Sequence, residues 1–166
     1  MLRKPAVSGT FYPDNKEELR KSIKDSFLSS FGIGSLPDNV KDFEGENYPI
    51  NVMVPHAGFV YSGPVASFGY YEIAKHGIPD VFIILSPNHT GFGSEVSVYN
   101  DGEWSTPLGN VSVDKEFADT IISLSDIATA DFQAHANEHS IEVQLPFLQF
   151  LSDNFEIVPI TIGAQT

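Results

Sequence analysis

Val81-Phe82-Ile83-Ile84-Leu85-Ser86-Pro87-Asn88-His89 is the stretch that decides the fold. Its apolar run is nearly continuous in β-branched and aromatic residues, and reads as a strand buried on both faces of a parallel sheet. Ile50-Asn51-Val52-Met53-Val54-Pro55-His56 has the same form, and Pro55-His56-Ala57-Gly58 ends it. Between the two runs, Pro64 fits the first turn of a helix lasting to about His76, which Gly77 and Pro79 stop. Strand, crossover helix and strand predict a βαβ unit with the strands at 50–55 and 81–85 parallel.

The elements on either side extend this pattern. Asp14 or Asn15 caps a predicted helix over 16–31, with Leu19, Ile23, Phe27 and Phe31 on one face. Residues 32–47, rich in Gly, Asp, Asn and Pro, read as an exposed loop. Over 94–113 apolar and polar residues alternate around Asn100-Asp101-Gly102, which predicts a small antiparallel excursion with a hairpin turn there. Helices follow over 114–124, capped by Asp114, and over 138–151, kinked by Pro146. A third buried strand covers 157–162. The expected class is α/β, a mostly parallel central sheet flanked by helices. Nothing follows the last strand to cover it, so residues 1–166 are expected to be the N-terminal part of a longer single domain.

Composition excludes several functions. The chain has 166 residues, 42% hydrophobic and 19% charged, which is ordinary for a globular domain and argues against extensive disorder. No apolar run approaches the ~20 residues of a membrane span, and no secretory h-region follows the first basic residues. There is no cysteine, so disulfides and thiolate metal sites are excluded within these residues, which fits a cytoplasmic protein. The net charge is −13 and the basic residues thin out after Lys24, which disfavours nucleic-acid binding. Gly32-Ile33-Gly34 and Gly91-Phe92-Gly93 lack the remainder of a nucleotide-binding fingerprint.

Parallel α/β sheets bind ligands beyond the carboxyl ends of their strands. His56 and His89 both lie there, each followed by small residues, and can converge as two ligands of one metal, whether zinc, iron or copper. The alternative is that each is a polar cap on its loop. His135-Ala136-Asn137-Glu138-His139 matches the inverted zincin pattern, which requires an unbroken helix through all five residues. Without that helix, Glu138, His139 and Glu142 fall in a first helical turn. There they cap the helix, or His139 and Glu142 serve acid–base chemistry. Asn88 and Glu138 are candidates for substrate contact. Phe59 and Tyr61, on the His56 loop, either wall a pocket or pack against the sheet. His76 suits a helix C-terminus and is assigned no function.

AVSGTFYP at 6–13, VPHAGFVYSGPVA at 54–66, LSPNHTG at 85–91, WSTPLGNVSVD at 104–114 and EHSIEVQLPFLQFL at 138–151 occur in this order. Together they resemble the Memo family (MEMO1-like, AmmeMemoRadiSam system protein B). The resemblance implies a fold like that of the class III extradiol (LigB-like) dioxygenases, which use non-haem iron(II). It implies that His56 and His89 are metal ligands, with the third, typically cysteine, beyond residue 166. Two functions follow from it. One is a metal-dependent, dioxygenase-like oxidoreductase acting on a small molecule. The other is a non-enzymatic pocket for a peptide or protein, the implied partners being AMMECR1-like and radical-SAM proteins.

Overall fold

The structure is a computed structural model, and it describes residues 1–43 and 50–163. The expected loop over 32–47 is irregular as far as residue 43; residues 44–47 lie outside the described ones.

The first helix, α1, spans Lys16–Leu28. Asn15 caps it, its side chain accepting from the Glu17 and Glu18 amides at 2.9 and 3.1 Å. Leu19, Ile23 and Phe27 are fully buried, each contributing about 1.5–3 kcal/mol of burial. The helix ends before Phe31, which is 79% exposed. The second helix, α2, runs Phe59–His76 and so begins earlier than Pro64 implied, with Pro64 inside it. Its buried aromatics are Phe59 and Tyr70, whereas Phe68 on the same helix is half exposed. Gly63 lets α2 approach α1, because a Cβ there would collide with Ser26 Oγ.

Short strand β1 is Leu2–Arg3, and β2 is Val81–Pro87. The chain continues through β3 (Val96–Val98), β4 (Glu103–Thr106), β5 (Gly109–Ser112), α3 (Lys115–Leu124), β6 (Ala128–Ala130), a 3₁₀ turn at Glu142–Gln144, α4 (Leu145–Leu151) and β7 (Glu156–Ile162). Asp114 caps α3 by accepting from the Phe117 amide at 2.8 Å. The main sheet has the order β2-β7-β3-β6, and a smaller one has the order β1-β4-β5. In the main sheet β2 and β7 are parallel, as are β3 and β6, but β3 and β7 are antiparallel. The expected α/β class holds, with the sheet only partly parallel.

Four expectations are corrected. No strand forms over 50–55: Met53 is 99% exposed, and the segment passes α2 with Val54 against Gly69. The parallel partner of β2 is β7, in register from Val81↔Glu156 to Pro87↔Ile162, so the crossover runs through 88–155 and not through α2. Among the described strands β2 has only this one neighbour, and Ile83 and Leu85 are consequently exposed. Asn100–Gly102 joins the two sheets instead of closing a hairpin, and the hairpin turn is Pro107-Leu108 between β4 and β5. The helix expected over 138–151 begins only at Leu145, where Pro146 sits in its first turn and produces no kink.

The largest apolar cluster joins α1, α2 and α4 around Phe27, Phe59, Tyr70 and Phe147. A second, around Tyr99 and Trp104, connects the two sheets. No described helix is long and apolar enough to cross a membrane.

Candidate metal centre

The carboxyl end of β2, the turn leading into α2 and the irregular segment before the 3₁₀ turn meet at one place. They bring together His89, His56 and His139. Ring centroids lie 5.1 Å apart for His56 and His89, 4.7 Å for His89 and His139, and 6.0 Å for His56 and His139. One ring nitrogen from each falls within 4.8 Å of the other two. Three atoms so spaced all lie within about 2.8 Å of a common point, against the 2.0–2.1 Å of a metal–imidazole bond.

Glu138 organises this cluster. Its carboxylate is 1% exposed. One oxygen accepts from the His89 amide at 2.5 Å. The other accepts from the His139 and Ser140 amides at 2.9 and 3.0 Å and lies 3.0 Å from His89 Nδ1. Burial alone would raise the Glu138 pKa, but the hydrogen bonds from His89 and Ser140 outweigh it and bring the group down to about 2. An ionised carboxylate on Nδ1 fixes the proton there and leaves Nε2 of His89 as the free donor atom. Ser140 Oγ donates to the Pro87 carbonyl at 3.1 Å, which ties the segment to the end of β2.

His56 and His139 favour the neutral form. Burial lowers the His56 pKa and the neighbouring His89 lowers it further, against the pull of Glu138. Burial likewise lowers that of His139; Glu138 opposes this, and His89 and His56 add to it. Neutral nitrogens are what a metal requires. The His89 side chain is 45% exposed, so the cluster faces solvent on one side, as a site with an open coordination position must.

The remaining candidates fall elsewhere. His135 is fully buried and points away, contacting the Ser97 carbonyl through Nε2 at 3.0 Å and Thr161 Oγ1 through Nδ1 at 3.1 Å. Residues 135–139 are not helical, so the inverted zincin reading fails. Glu142 is fully buried, and four groups donate to it: Arg3 Nη1, the Ala6 and Val7 amides and Tyr12 Oη, at 2.5, 2.8, 3.0 and 2.6 Å. Its carboxylate holds the N-terminal segment. Asn88 shapes the turn after β2, accepting from Thr90 and Gly91 and donating to the Phe92 carbonyl. Phe59 lies in the core against Phe147, whereas Tyr61 is 85% exposed on α2.

A family model described as Memo-like protein matches residues 3–166. The chain belongs to the Memo family. A MEMO1 family protein of Methanobrevibacter smithii is 67% identical over the whole of this chain. Relatives of the same description from Metallosphaera sedula and Thermotoga petrophila are each 48% identical, again over the whole chain. The chain spans 58% of the length of the first two relatives and 60% of the third. The Memo fold is LigB-like, so the expected likeness to extradiol dioxygenases stands at the level of fold.

Their places after apolar runs had paired His56 and His89, two of the three clustered histidines, and the Memo resemblance implied the same pair. Spacing had assigned His139 to acid–base work or to capping, because it presumed a helix where the chain is irregular. Phe11, whose ring meets His139 edge-on with centroids 4.9 Å apart, was not singled out, although it lies in one of the five motifs.

Proposed function

We propose that His56, His89 and His139 hold a single divalent metal, with iron(II) favoured and copper or zinc as alternatives, for redox chemistry on a small substrate. The convergence of three imidazole nitrogens carries this reading. Support comes from the ionised Glu138 on His89 Nδ1 and from the solvent-facing side of the cluster. Three neutral ligands would leave the ion its full positive charge; a metal so held would polarise a bound oxygen substrate, and iron or copper, unlike zinc, would also exchange electrons with it. In this arrangement His139 is a ligand and not a proton carrier. Glu138 keeps the His89 ring in one tautomer and one orientation.

A second reading, a peptide- or protein-binding surface, is favoured by the exposure of Val60, Tyr61, Val65 and Phe68 along α2. Metal analysis of the purified protein separates the two. The metal reading expects about one ion per chain, lost when His56, His89 or His139 is replaced by alanine. A metal-free protein that cannot be loaded with iron(II), copper(II) or zinc(II) would overturn it.

A further inference from the structure

Phe11 lies on a tight N-terminal turn, outside the three segments that carry the histidines, yet it touches two of them. Its carbonyl accepts from the Phe59 amide at 2.8 Å, three residues beyond His56. Gly58 packs so closely on its backbone that an added Cβ would lie 3.3 Å from the Phe11 carbonyl oxygen. Its ring stands edge-on to His139, with an interplanar angle of 62°. The turn that carries it is closed by Gly9 N donating to the Tyr12 carbonyl and Phe11 N donating to the Val7 carbonyl, at 2.8 and 2.9 Å. The turn is then fixed to the body of the protein by Glu142, which accepts from Arg3, Ala6, Val7 and Tyr12.

We infer that the N-terminal segment is a built wall of the three-histidine site, with Phe11 as a positioning residue that fixes the His139 ring relative to His56. The inference rests on the metal-centre reading above. A histidine joined to its backbone by two torsions needs lateral contacts to hold one ring plane. His139 has Glu138 on one side and the Phe11 edge on another. Removing the ring frees the imidazole to turn and admits water beside it. An aromatic pair of this kind is worth about two- to tenfold in an equilibrium constant.

Cobalt(II) is a suitable probe, because its visible absorption reports coordination number as well as binding. In the intact protein it should bind near stoichiometrically with an intense visible band. Phe11→Leu keeps apolar bulk but removes the aromatic edge. It should bind cobalt(II) roughly three- to tenfold more weakly and show a weaker, blue-shifted band, with an unchanged far-ultraviolet circular dichroism spectrum. Phe11→Trp should restore both. Gly58→Ala, which displaces the segment while keeping the ring, should resemble Phe11→Leu. Identical affinity and band shape in Phe11→Leu and Gly58→Ala, against a cobalt-binding parent, would overturn the inference alone. No cobalt(II) binding by the parent would overturn the metal centre with it.

Discussion

Replacing Glu138 by glutamine tests the centre at its most constrained atom pair. The substitution keeps shape and removes charge. Glutamine retains one carbonyl oxygen, but its NH₂ group must face either the His89 amide or the His139 and Ser140 amides, and both arrangements set donor against donor. In the parent the carboxyl is brought from 4.5 down to about 2, which corresponds to about 3 kcal/mol of folding stability at neutral pH. The sign follows from the direction of the shift. The folded state releases this proton more readily than the unfolded chain. The stabilisation is therefore complete above pH 4.5 and disappears as pH falls toward 2. His135, held near 4 chiefly by burial, also loses stability for the protein as pH falls below 6.5; Glu138 raises its pKa, so the variant loses slightly more there, a contribution opposite in sign to the narrowing. Urea denaturation followed by the fluorescence of the single, buried Trp104 gives that difference directly. Glu138→Gln should be about 3 kcal/mol less stable than the parent at pH 7, with the gap narrowing progressively below pH 4.5. Equal stability at pH 7, or a gap unchanged between pH 7 and pH 3, would refute the reasoning.

Three other outcomes are expected. Glu142→Gln leaves the buried Arg3 guanidinium without its counter-charge, and denaturant titration should show a loss of about 3–5 kcal/mol. Asn15→Ala removes the cap of α1 at a cost of about 1 kcal/mol, read as a fall in Tm of about 2–4 °C, whereas Phe31→Ser on the exposed side should stay within about 0.5 kcal/mol. Because burial keeps His56 and His139 neutral, metal uptake measured by equilibrium dialysis should persist below pH 6.5, where ordinary imidazoles have begun to protonate, before failing at lower pH.

Local pattern was a good guide wherever local physics decides the outcome. The four-residue recurrence of Leu19, Ile23 and Phe27, the caps at Asn15 and Asp114, and the mostly apolar run of β7 all read correctly. It misled where a distant partner decides. Residues 50–55 look like a strand, but among the described strands none pairs with them. Residues 138–141 look like a helix start, but Glu138 and Ser140 bond to His89 and Pro87, some fifty positions away, and hold the backbone out of helix. His135 and His139 are equivalent in the five-residue motif. In the fold they face opposite directions, because Ser97 and Thr161 capture one and the cluster captures the other. Two members of the three-histidine cluster were legible from their places after apolar runs. The third, His139, was visible as a residue but not as their neighbour.

The ion pair between Arg3 and Glu142 joins positions 139 residues apart. Closing a loop of that length costs about 4 kcal/mol in chain entropy, so the wall bearing Phe11 closes only after nearly the whole of the present chain has been ordered. During synthesis the first dozen residues lack their Glu142 anchor until residue 142 has emerged. The same hierarchy runs backwards under stress. The segment, held chiefly by Glu142 and a two-residue strand, should detach before the helical core gives way, and the three histidines would then lose their shelter in a protein that is still folded. A tag fused ahead of Met1, whose carbonyl accepts from the Glu103 amide, would load the strand pairing at that end of the segment.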